Sequence, residues 1–101
     1  KPWSQFSESD YQDAEAFCAA CLIDLNEPGA EKVKAKCKLP VREPGGAYNR
    51  NAVRAAAAVL AGARGGVGAP IEAKRRAARK LVQLYRELGE EPPLAVKLLA
   101  D

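Results

Sequence analysis

Cys37-Lys-Leu-Pro-Val-Arg-Glu-Pro-Gly-Gly-Ala-Tyr-Asn-Arg-Asn-Ala-Val-Arg54, followed by an alanine-rich run that ends Gly62-Ala-Arg-Gly-Gly66, is the stretch on which the fold turns. Pro40 and Pro44 exclude a central strand, because proline cannot donate to a ladder. Pro44-Gly45-Gly46 reads as a turn. Asn49 or Asn51 then supplies an N-cap for a helix from about Ala52 to Ala63, with Val53, Ala56, Ala57 and Leu60 as a narrow apolar seam. Gly65, Gly66 and Gly68 stop it.

Downstream, Pro70 suits the first position of a third helix, and Glu72 lies in its first turn. The period predicts a helix from Pro70 to Leu88. Its buried face is Ile71, Ala77, Ala78, Leu81, Val82, Tyr85 and Leu88, with Arg75, Arg76, Arg79, Gln83 and Arg86 outward. Gly89 is placed as its C-terminal cap. Pro92-Pro93 restarts the chain into a last helix over 92–101, in which Leu94, Leu98 and Leu99 are expected to fold back on the core.

Upstream, residues 1–9 form an arm in which Trp3 and Phe6 are spaced to plug a groove, either in a partner or in the domain's own core. Residues 10–24 read as helix 1, running from about Tyr11 to Leu22. Its stripe is Tyr11, Ala14, Phe17, Cys18, Cys21 and Leu22, and Asn26 with Pro28-Gly29 ends it. From Lys32 the chain alternates, placing Lys32, Lys34, Lys36 and Lys38 on one face and Val33, Ala35, Cys37 and Leu39 on the other, within an extended segment and turn over 32–48. A ribbon pairing Leu22-Ile23 with Leu39-Val41 is left open. The expectation is one domain over 1–101 that is mainly α: an antiparallel helix hairpin over 51–88, an N-terminal helical lid and the optional short ribbon.

Charge is segregated. Residues 1–31 carry one lysine against seven carboxylates, net −6; residues 32–86 carry net +12; residues 87–101 carry net −3. Such blocks either neutralise one another in the fold or create a dipolar docking surface. Three cysteines, Cys18, Cys21 and Cys37, are too few and too odd in number for a disulfide framework. Cys18-x-x-Cys21 lies on the helical stripe, and without histidine a zinc site would need an unusual ligand such as Asp24. Buried thiols of a reducing compartment are the expectation, with no metal and no cofactor. No apolar run approaches the ~20 residues of a membrane span, and no signal peptide is visible. A start at Lys1 and the lack of methionine suggest a domain taken from a longer protein, or a trimmed chain.

No catalytic constellation is present: the usual imidazole base is missing, and Ser4, Ser7 and Ser9 have no partner at a recognisable spacing. The glycines from Gly62 to Gly68 lack the Gly-Lys-Ser/Thr ending of a phosphate loop. A basic surface remains, formed by Lys32, Lys34, Lys36 and Lys38 with Arg75, Arg76, Arg79 and Lys80. It suits a phosphate backbone without sequence reading, or simply a solvated face.

Several motifs occur in a fixed order: Trp3-x-x-Phe6, Ser9-Asp10-Tyr11, Cys21-Leu22-Ile23, Cys37-Lys38-Leu39-Pro40-Val41, Asn49-Arg50-Asn51-Ala52-Val53, Gly62-Ala63-Arg64-Gly65-Gly66-Val67 and Leu88-Gly89-Glu90-Glu91-Pro92-Pro93. Together they resemble a small helical domain of unknown function found in tailed-phage and prophage head-morphogenesis proteins, in or beside prohead proteases and capsid-associated proteins. The chain departs from that pattern in lacking the histidine that relatives often carry near Leu22 or Val53. The resemblance implies a non-enzymatic virion or head-assembly module, located in the virion or host cytoplasm. Its partner would be the capsid shell or another head protein, met through Trp3, Phe6 and the basic faces. DNA contact by residues 32–38 and 74–86 is the alternative, and neither a membrane nor a small-molecule substrate is expected.

Overall fold

The structure, a computed structural model, describes residues 10–62 and 66–101. It divides into two compact units, Lys1–Val53 and Arg54–Asp101. In the first unit, helix α1 spans only Ala14–Ala19. Asp13 starts it, its Oδ1 accepting the Ala16 N–H at 2.8 Å. The chain then turns directly into strand β1, Cys21–Asp24, which pairs antiparallel with β2, Cys37–Pro40, in the register Cys21↔Pro40, Ile23↔Lys38 and Asp24↔Cys37. Backbone bonds from Val41 N–H to Ala20 O (2.8 Å) and from Leu25 N–H to Lys36 O (2.9 Å) extend the pairing at both ends.

This sheet overturns the mainly-α expectation: the domain is mixed α/β, with a two-stranded antiparallel sheet and four α-helices among the described residues. The expected helix over 10–24 fails because Cys21-Leu22-Ile23-Asp24 fits two periods. Cys21 with Leu22 extends a helical stripe, and Cys21 with Ile23 an alternating strand, equally well. Pairing with β2 decides in favour of alternation, burying Cys21 and Ile23 and leaving Asp24 exposed.

Beyond β2, Gly46 N–H bonds to Glu43 O (2.8 Å) and Glu43 N–H to Ala47 O (2.7 Å), closing the Pro44-Gly45-Gly46 turn, and Arg42 bridges to Tyr48. Gly46 has φ 101°, a conformation that favours glycine. The turn delivers Asn49, which is buried, to the start of α2, Arg50–Leu60. Its Oδ1 accepts the Ala52 N–H (3.0 Å) while its Nδ2 donates to Glu43 Oε2 (3.1 Å), so Asn49 rather than Asn51 makes the cap. The core of this unit gathers Tyr11, Phe17, Cys18, Ala20, Cys21 and Cys37. Tyr11 and Phe17 meet edge to face with centroids 5.2 Å apart, and the Tyr11 hydroxyl donates to Arg42 O.

In the second unit, α3 spans Ile71–Glu87 and buries Ala73, Ala77, Ala78, Leu81, Leu84 and Tyr85. Pro70 stands just outside it with extended backbone. Ile71, expected inside, is 52% exposed, whereas Leu84, outside the expected set, is buried. The helix ends in a Schellman motif: Gly89 at φ 72° bonds through its N–H to Arg86 O (3.0 Å), and Glu90 N–H bonds to Tyr85 O (2.8 Å). Pro92 and Pro93 then turn the chain into α4, Leu94–Ala100, which packs on α3 with Val96 fully buried. The helical neighbour of α3 is therefore α4, a second departure from the expected hairpin.

Leu94 and Leu98 do not fold back; they are 69% and 64% exposed. Seven residues offer one inward line, and Val96 occupies it, which turns the 94/98 line away. Near the end of α3, Arg54 of α2 reaches both carboxylate oxygens of Glu90 at 3.0 and 3.1 Å.

Leu81→Ala removes a fully buried side chain and should destabilise the protein by about 2–5 kcal/mol. Leu94→Ala, at an exposed position, should stay within about 0.5 kcal/mol of the parent. Urea unfolding of the two variants beside the parent measures both.

Candidate functional site

The distinctive chemistry of the first unit lies where α1, β1 and β2 meet. Cys18, near the end of α1, is bonded to Cys37, the first residue of β2, with Cα atoms 5.3 Å apart. Both are buried, and Cys21 is a buried thiol outside the bridge. The expectation of three reduced thiols is thus corrected for two of them. The pair joined is not Cys18-x-x-Cys21, because Cys21 belongs to β1 and only its sheet partner brings a second sulfur to Cys18.

Asn26 organises the polar side of the bridge. Its Nδ2 donates to Asp24 Oδ1 (2.8 Å) and lies 3.3 Å from Cys37 Sγ and 3.7 Å from Cys18 Sγ, while its Oδ1 accepts the Val33 N–H (2.9 Å). The sequence suggested for Asn26 only a helix stop. Asp24 also pairs with Lys32. The hydrogen bond from Lys32, the largest effect, outweighs the opposing effect of burial and, with smaller contributions from Asn26, holds the Asp24 carboxyl below the usual aspartate range. Tyr11 is shifted the other way, its phenol pushed up first by burial and then by nearby negative charge.

The lysine row loses its regularity on folding. A single 3₁₀ turn over Lys34–Lys36 interrupts the alternation and leaves Val33 48% exposed. Cys37 alone of the four expected inward residues is buried, with Leu39 half-buried at φ 62°. Lys32 is committed to Asp24, and Lys38 lies in β2 opposite Ile23. On α3, Arg75, Arg76, Arg79 and Lys80 are all exposed. Arg79 Nε donates to Ala100 O at 3.0 Å, at the end of α4. Among the described residues, Arg75, Arg76 and Lys80 make no salt bridge. Trp3 and Phe6 lie outside the described residues.

Compared with known proteins, the chain matches no family model, no curated protein and no solved structure. No helix among the described residues is long and apolar enough to cross a membrane.

The bridge spans 19 positions of sequence, and a loop of that size constrains the unfolded chain by about 3 kcal/mol. The double variant Cys18→Ser/Cys37→Ser should melt well below the oxidised parent. Adding a strong reductant should bring the parent down to the same temperature, as scanning calorimetry would show. Asp24 gives a pH dependence of known sign. Its folded value is depressed, so its contribution is present above the unfolded value of about 3.9 and is lost as pH falls through the folded value. Lys32→Gln should move the Asp24 titration upward, read from the carboxyl carbon shift in an NMR pH series.

Proposed function

We propose that this chain is a non-enzymatic module of tailed-phage head assembly, working in the virion or host cytoplasm, that docks on an acidic protein surface of the capsid shell. The observation that carries the reading is on α4. Leu94 and Leu98 stand exposed one helical turn apart, while Arg79 of the neighbouring cation row reaches the last turn of the same helix. An apolar pair flanked by cations suits a protein surface with an apolar centre and a carboxylate rim. The resemblance of the chain's ordered motifs to phage head-morphogenesis domains supplies the choice of partner.

Contact with DNA is the second reading, favoured by one observation: Arg75, Arg76 and Lys80 stand exposed along α3 without a salt bridge among the described residues. Tyr85, the aromatic residue of that helix, is buried, so α3 offers no ring for bases to stack on. That ranks protein docking first.

Two assays separate the readings. Cosedimentation with empty heads of the phage that encodes the chain should retain the parent, and Leu94→Asp/Leu98→Asp should lower the bound fraction about tenfold. A fluorescence-anisotropy salt series on an arbitrary short duplex should show no binding steeper than nonspecific background. Failure to sediment, together with duplex affinity that falls with a log–log salt slope of about −3, would replace the docking reading with DNA contact.

A further inference from the structure

We propose that Cys18, Cys37 and Asp24 become a zinc site when the bridge between the two cysteines is reduced. The ligand atoms of these three residues lie within 4.8 Å of one another. They come from three elements, α1, β1 and β2, and the sheet register sets Asp24 directly across from Cys37. Asn26 Nδ2 marks the point on which they converge, since one amide nitrogen lies within reach of Asp24 Oδ1 and of both sulfurs. A partly positive N–H donor held among three Lewis bases occupies the kind of place that a small cation would take.

Charge decides which ion the reduced pair can take. In the bridged state the sulfurs are neutral, and the Asp24 carboxylate is matched by Lys32. Ionising both thiols would add two negative charges at sites that are each only 5% exposed. Lys32 is already engaged, and an uncompensated buried charge is strongly disfavoured. A divalent, thiophilic ion compensates the two thiolates as their protons leave, whereas a hard ion such as magnesium would not select sulfur.

The chemistry balances with a dithiol as reductant. The dithiol passes two electrons and two protons to the bridge and leaves as its own cyclic disulfide, while Cys18 and Cys37 become thiols. Zn²⁺ then displaces one proton from each thiol to solvent and binds two thiolates and the carboxylate. Two Zn–S bonds of about 2.3 Å at a tetrahedral angle require the sulfurs to separate to about 3.8 Å. Three protein donors leave the fourth position to water. Cys21 is not among the three.

Co²⁺ alone is a suitable probe, because thiolate coordination gives a charge-transfer band and tetrahedral d–d absorption. The whole chain is reduced with excess dithiol, desalted without oxygen and titrated, with circular dichroism followed in parallel. One equivalent should bind with the thiolate band, Zn²⁺ should displace it, and the oxidised protein should show no band. Cys21→Ala should retain the band, Cys18→Ser and Cys37→Ser should each abolish it, and Asp24→Asn should weaken affinity about tenfold or more. A reduced chain that has lost its fold should regain it with the metal, because binding free energy is then folding free energy. The proposal is overturned by a reduced parent that takes up no cobalt, folded or not. A band that survives in Cys18→Ser/Cys37→Ser, or an affinity unchanged in Asp24→Asn, overturns it equally.

Discussion

The antiparallel pairing of Cys21–Asp24 with Cys37–Pro40 is the constraint on which the first unit depends. The strands are four residues each and would not persist as an isolated ribbon. They persist because Cys21 and Ile23 on one face and Cys37, paired with Asp24 on the other, are all buried, Cys21 and Cys37 in a core with Tyr11 and Phe17, and because a covalent bond ties β2 to α1. The register also has a chemical consequence. It brings Asp24 opposite Cys37, so a carboxylate, an amide and two sulfurs share a few ångströms at the edge of the core.

The second unit is held differently. Alanine is the commonest buried residue of this unit, and Ala77, Ala78, Leu81 and Val96 are fully buried in the region where α4 packs on α3. Rigid ends compensate for a thin core. A Schellman motif stops α3, prolines lead both α3 and α4, and Arg54 and Lys97 pair with Glu90 and Glu91 in the intervening turn. Exposed pairs of this kind contribute little each, and their value here is orientation of the turn.

The segregated charge of the sequence is spent in two ways. Part of it closes locally: Asp24 with Lys32, Glu90 with Arg54 and Glu91 with Lys97 each join an acidic end segment to the basic middle or to itself. Among the described residues, Arg75, Arg76 and Lys80 of α3 stay outside this neutralisation, and Arg79 donates to the Ala100 carbonyl.

By itself the sequence determined the long periodic helix of the second unit, its stop at Gly89, the Pro44-Gly45-Gly46 turn, an asparagine cap at Asn49 or Asn51 and the outward residues Arg75, Arg76, Arg79, Gln83 and Arg86. Each rests on local chemistry: a repeated 3.6-residue period, a glycine at positive φ, a side chain that caps its own helix. What only the tertiary structure decided were choices between locally equal options. Cys21–Asp24 became a strand because β2 was there to pair with it. Leu94 and Leu98 turned outward because Val96 claimed the single inward line of a short helix. Cys18 met Cys37 rather than Cys21 because sulfur partnership depends on distance in space, and sequence spacing is silent on residues that separate elements bring together.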